Sequence, residues 1–155
     1  MRRFCLLVAT LLMIGAAPAL AVGNGSTYIA HLEGDNEIPA VDSQGRGQVI
    51  LEVERGGEAI SYKLIASNID DVVQAHIHLG GPDVNGPVVA FLFGPVTGVD
   101  NNGVLSRGTI TASDLVGPLA GASLDDLLAE MKSGDAYVNV HTIANPGGEI
   151  RGQIR

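Results

Sequence analysis

The chain predicts an all-β protein, a Greek-key-like antiparallel β-sandwich or flattened barrel of about eight strands with one short helix near residues 123–133. Three observations carry this reading. The 155 residues include 21 glycines and only 4% aromatics, short Val- and Ile-rich runs recur along the chain, and turn residues fall between those runs. Strands are expected at Thr27–Leu32, Gly47–Glu54, Ala59–Ser67, Val72–Leu79, Pro87–Phe93, Gly103–Thr111, Asp135–Thr142 and Glu149–Ile154. The segments "RGGE" at 55–58, "GPDVNG" at 81–86, "VDNNG" at 99–103 and "ANPGGE" at 144–149 supply the turn chemistry between them.

One segment departs from the strand pattern. In "SLDDLLAEMKSG", Ser123 stands as an N-cap with Asp126 three residues on, the spacing of a capping box. Leu124, Leu127, Leu128 and Met131 share one helical face, and Gly134 provides the stop. Upstream, "TASDLVGPL" predicts a further short turn begun by Ser113 and halted before Pro118.

The opening "MRRFCLLVATLLMIGAAPALA" carries two arginines, an apolar run and the small-residue pattern Ala19-Leu20-Ala21, the layout of a signal peptide cut after Ala21. Residues 1–21 are therefore assigned as a leader and residues 22–155 as a single domain, exported to a periplasm or secreted, with no membrane association after cleavage. Cys5, the sole cysteine, lies in the leader, so no disulfide is available to the remaining 134 residues. Loss of Arg2 and Arg3 leaves seven basic residues against 17 acidic ones. That balance argues against a nucleic-acid partner and favours cations.

Two of the four histidines stand one residue apart in "VVQAHIHLGG", Val72–Gly81. Strand side chains alternate, so Val73, Ala75, Ile77 and Leu79 share one face, and Val72, Gln74, His76 and His78 the other. The same period over "DAYVNVHT" sets Tyr137, Asn139 and His141 together on a non-core face. Three imidazoles on polar strand faces are a candidate site for copper or zinc, His76, His78 and His141 being the ligands. The competing reading is a hydrogen-bonded cluster in which His78 and His141 bond loop carbonyls. His31 is a fourth candidate whose position the sequence does not give. Glu149 and Arg151 alternate with Gln153 on one face that pairs with the polar face of the Tyr137–His141 strand; Glu149 is a candidate acceptor for a ligand histidine, the competing reading being a cross-strand ion pair. Glu33 and Glu37 read as loop acids that bind backbone amides or a cation, and Asp83 and Asn85 as turn formers.

The blocks "LEGDNEIPAVDSQGRGQVILEV", "AHIHLGGPDVNGPVVAFLF" and "SGDAYVNVHTIANPGGEIRGQI" resemble, in this order, the CHRD domain, a module of chordin that also stands alone in exported bacterial proteins. The resemblance runs from Tyr28 to Ile154. It implies an extracytoplasmic protein partner and assigns no catalytic residue. A looser similarity connects His76, His78, His141 and Arg151 to the copper ligands and anion-guiding arginine of copper-zinc superoxide dismutases, although a bridging histidine, a zinc-loop cluster and a cysteine pair are missing.

Hydrolase and phosphate-loop motifs are absent from the sequence, and the overall reading leans away from an enzyme. Three functions remain as expectations: a CHRD binding module with a three-histidine transition-metal site, a metal-free interaction or structural module, and a copper oxidoreductase in which Arg151 guides an anion.

Overall fold

The computed structural model describes residues 25–155; the expected leader lies outside the described residues. Seven strands and one α-helix follow in chain order: β1 (Thr27–Glu33), β2 (Arg46–Val53), β3 (Ile60–Leu79), β4 (Val88–Phe93), β5 (Val99–Ile110), α1 (Leu124–Ser133), β6 (Ala136–Thr142) and β7 (Ile150–Gln153). All pairings are antiparallel. This is the all-β, barrel-like architecture that the sequence predicts.

Strand β3 organises the whole sheet. Ile60 pairs with both β2 and β5, and Val72 with both β5 and β6, so β2 and β6 lie in succession along one edge of β3. The opposite edge takes β5 and then β4. Because β2, β1, β7 and β6 are themselves neighbours in that order, the sheet leaves β3 and returns to the same edge, closing a flattened barrel. Leu32, Leu51, Leu64, Ile77, Val138 and Ile150 fill its interior.

Two expected strands, Ala59–Ser67 and Val72–Leu79, are thus one continuous element, and seven strands replace eight. The residues between them do not turn the chain back; they slip its phase. Asn68 and Asp71 take left-handed φ angles of 52° and 51°, which their short polar side chains tolerate better than branched ones. The pairing shifts between Ala66 and Ile69, between Ile69 and Val72, and between Val72 and Gln74. Before the slip the buried positions are even-numbered, Ile60, Leu64 and Ala66; after it the barrel side holds Ala75 and Ile77. Without this bulge His76 and His78 would continue the row of Leu64 and Ala66 into the core.

A second boundary also differs. "VDNNG" at 99–103 begins β5 instead of forming a turn, because Val99 and Asn101 pair with Val72 and Ile69. The expected helix is present as α1, with the Ser123 amide donating to Asp126 Oδ2 at 2.9 Å and Gly134 closing it at φ 84°. Leu124, Leu127 and Met131 are buried and Leu128 half-buried. Upstream, Thr111 rather than Ser113 caps the first short 3-10 turn through Asp114, and Pro118 lies inside the second turn instead of beyond its end.

Candidate metal centre

The sequence places the three histidines on non-core strand faces; the structure keeps them off the barrel core and buries them all the same. His76, His78 and His141 are 3%, 7% and 6% exposed. Strand β6 is buried along its whole length, on both faces. Loops that the alternation rule does not count cover the outer face. Asn85, in the 80–86 loop, donates to Ile38 O at 2.7 Å and so joins that loop to the segment after β1. The turn after β6 folds back to offer Pro146 O to His141.

Cross-strand register brings the rings together. His76 stands opposite Asn139 and His78 opposite Tyr137, while His141 is opposite Gln74 and therefore diagonal to His76. Ring centroids lie 4.9 Å apart for His76 and His141, 5.5 Å for His76 and His78, and 6.1 Å for His78 and His141. One ring nitrogen from each of the three falls within 4.8 Å of the others. Ligand nitrogens sharing one ion with bonds of about 2.0–2.1 Å stand about 3.3–3.6 Å apart, so the group would draw together to hold one ion.

Hydrogen bonding fixes which nitrogens are free. A carbonyl oxygen only accepts, so the 2.9 Å contact of His78 Nδ1 with Gly86 O and that of His141 Nδ1 with Pro146 O put protons on both Nδ1 atoms. In the neutral rings Nε2 then carries a lone pair. His141 Nε2 accepts from His76 Nδ1 at 3.1 Å, which leaves His76 Nε2 as a lone pair as well. His76 Nε2 and His78 Nε2 are buried without any partner. Burial keeps the rings neutral: it lowers the His76 pKa to about 4, assisted by His141 and His78, and lowers those of His78 and His141 against their carbonyl contacts.

Around the imidazoles lies a packed polar shell. The Phe91 ring, 48% exposed, meets His76 edge to face at 4.6 Å. Tyr137 stacks on His78 at 4.9 Å, and the Arg151 guanidinium sits 3.4 Å from the centre of the Tyr137 ring. Arg151 is 1% exposed; it donates to Asn85 Oδ1, Gly81 O and Val84 O at 2.8–3.0 Å. Glu37, 6% exposed, is raised by burial to about 7, against the opposing pull of Arg151 and hydrogen bonds from Asn139 and the Ile38 amide. Gly148, at φ 128°, is the floor under this acid: a Cβ there would collide with Glu37 Oε1 and stand 2.7 Å from Asn139 Nδ2.

The other expected residues fall elsewhere. Glu149 touches no histidine; it accepts from Ser43, Thr142 and Asn145 at 2.7–3.0 Å and braces the turn that carries Pro146. Arg151 is committed to loop oxygens, a poor arrangement for guiding an incoming anion. His31 is exposed and apart from the three, lining a cavity of about 570 Å³ with Asp83, Glu37 and Arg151. Glu33 is exposed at the end of β1. Sequence reasoning grouped Tyr137 and Asn139 with His141 by strand period but missed Phe91, Gly86 and the burial of Glu37. Those depend on strand and loop neighbours distant in the chain.

The fold is a closed β-barrel with a neutral imidazole cluster buried on its outer face beneath loops, and among the described residues no carboxylate or cysteine joins that cluster. The chain belongs to the CHRD family: the CHRD domain matches residues 28–154. No curated protein and no solved structure matches it. The looser likeness to copper-zinc superoxide dismutases gains no support from these comparisons.

Proposed function

We propose that this CHRD protein is an exported binding module that holds one transition-metal ion, copper or zinc, on His76, His78 and His141. One observation carries the reading: His76 Nε2 and His78 Nε2 are buried acceptors without partners, in a cluster whose Nδ1 protons are engaged. An orphaned buried acceptor costs about 1–3 kcal/mol. An ion bound at those two lone pairs converts that cost into bonds, and it gains His141 Nε2 as a third ligand at the expense of the His76–His141 hydrogen bond. The Gly86 and Pro146 carbonyls act as outer supports that fix ring orientation and tautomer. Export is supported by the leader pattern at 1–21, and the acidic balance of the chain suits a cation.

The test is metal content and titration of the protein purified without a histidine tag, beside a His76→Ala/His78→Ala variant. One copper or zinc per chain, lost in the variant, is the expected result. Absence of metal above background, with both proteins folded, rejects the reading. A metal-free module for an extracytoplasmic protein partner would then stand in its place, for which exposed Phe91, Val96, Val99, Val104 and Ile143 offer apolar surface.

A further inference from the structure

The charge and ligand count of the centre select among the ions that imidazole accepts. We infer that the site is built for a monovalent cuprous ion, held by three nitrogens in a closed site, in preference to Zn(II) or Cu(II); the inference rests on the three-histidine reading above. Four features of the molecule lead to it.

First, the donor set is neutral. Among the described residues, no carboxylate or thiolate joins His76, His78 and His141 in the ligand group. Three imidazoles therefore leave the full charge of the ion uncompensated. Burying a charge without a counter-charge is costly, and the cost climbs steeply with charge, so a divalent ion suffers far more than a monovalent one.

Second, the nearby fixed charge has the wrong sign for a divalent ion. Arg151 is almost wholly buried and stacks on the far side of the Tyr137 ring, whose other neighbour is His78. Its positive charge lies one ring away from His78, across this stack. A metal ion at the same nitrogen meets the same field. Glu37 is the one buried acid among the described residues, and it is coupled to Arg151 and Asn139. It stands outside the ligand group and gives the ion no carboxylate ligand.

Third, the ligand count stops at three. Zinc in closed sites takes four ligands in a tetrahedron, and in open sites it completes its shell with water. Here the free Nε2 atoms of His76 and His78 are inaccessible to solvent. No fourth protein ligand belongs to the group among the described residues. A water-derived hydroxide, the anion that would balance zinc, would have to be buried too. Cu(I), a d10 ion like Zn(II) but of single charge, is satisfied by three nitrogens in a plane.

Fourth, the surroundings are soft and shielded. The Phe91 edge lies against His76 and the Tyr137 face against His78. Such walls favour a large polarizable ion of low charge over a strongly hydrated divalent one.

The deciding experiment is a set of anaerobic competitions on the whole protein, Cu(I) against bicinchoninate and Zn(II) and Cu(II) against chromophoric chelators of known affinity, followed by X-ray absorption of the copper-loaded protein. Expected are one Cu(I) per chain, tighter than either divalent ion by more than about tenfold, and a three-coordinate nitrogen shell. Zinc or Cu(II) binding as tightly as Cu(I), or a shell of four or more ligands, overturns the cuprous assignment while leaving the three-histidine site intact. Failure of all three ions to bind overturns the site itself. Arg151→Met then tests the charge argument: the ratio of Cu(I) to Zn(II) affinity should fall, and an unchanged ratio in a folded variant removes Arg151 from the explanation. The wild-type competitions decide the assignment even where that variant does not fold.

Discussion

The two halves of β3 are made of the same backbone in the same sheet, yet they are built for different purposes. From Ile60 to Ser67 the strand buries Ile60, Leu64 and Ala66 and leaves every other side chain half-solvated, the ordinary arrangement for a barrel wall. From Ala75 to His78 four consecutive residues are buried, on both faces. The first half gains stability by filling the barrel. The second half, in addition, hides two imidazoles outside the barrel, beneath loops, where His141 of β6 joins them and both of their Nε2 acceptors are left orphaned. A sheet face buried at a cost to its polar groups signals a function that the folded state alone does not need.

Truncating each half should separate these roles most widely. Leu64→Ala removes a fully buried core side chain and should lower unfolding free energy by about 2–5 kcal/mol, with metal stoichiometry of the folded protein unchanged. His76→Leu removes one orphaned nitrogen, at the cost of the His76–His141 hydrogen bond, and should shift metal-free stability by less than about 1 kcal/mol while abolishing the site. Urea denaturation of both variants without metal checks the pair. A loss from His76→Leu as large as that from Leu64→Ala would show the cluster to be structural.

Acid should distinguish the halves by a smaller margin. The pKa of His76 lies at about 4 in the folded protein and at 6.5 ordinarily, so between these values the unfolded chain binds more protons. Stability is therefore lost as pH falls from 6.5 towards 4, and His78 and His141, also lowered, act in the same direction. Glu37 works the opposite way. Raised from 4.5 to about 7, it holds its proton longer in the folded state and destabilises the fold as pH rises through that range. His76 and Glu37 each contribute about 1–2 kcal/mol once solvent screening is discounted. With three histidines against one acid, metal-free stability should peak near pH 6.5, and Glu37→Gln should flatten the decline above it. Thermal melts across pH 4–8 without metal measure both limbs; a wild-type profile that is flat from pH 6.5 to pH 4 would contradict the buried neutral cluster.

How much of this was legible in the sequence follows from the range of each interaction. Strand period alone groups His76 with His78, and His141 with Asn139 and Tyr137, because alternation is local. The Ser123–Asp126 cap and the Gly134 stop are local too, and α1 forms where they predict. Burial of the histidines is not legible, since the cover comes from Gly86, Pro146 and the Asn85–Ile38 contact, which depend on loop paths. The placement of Arg151 and Glu149 fails for the same reason. Each has hydrogen-bonding capacity for several roles, and only tertiary position chooses among them. The merger of two expected strands into β3 was hidden because the polar "NIDD" interrupts the apolar runs on either side, while Asn68 and Asp71 use their left-handed conformations to slip the strand.

That slip offers the smallest and most specific test of the comparison. Asn68 and Asp71 hold φ angles that a β-branched residue resists, so Asn68→Val should cost about 1 kcal/mol more than the native asparagine. Asn68→Gly should be close to neutral, because glycine accepts the angle but loses more chain entropy on folding. The more telling readout is at the site. If the bulge sets the phase of the second half, relieving it in Asn68→Val draws His76 and His78 toward the barrel side of β3 and disperses the cluster, although neither histidine has changed. Histidine side-chain NMR resonances would report this as loss of the His76–His141 contact, with the glycine variant retaining it. Retention of that contact in a folded Asn68→Val protein would mean that the covering loops, rather than the bulge, hold the two histidines outside the barrel.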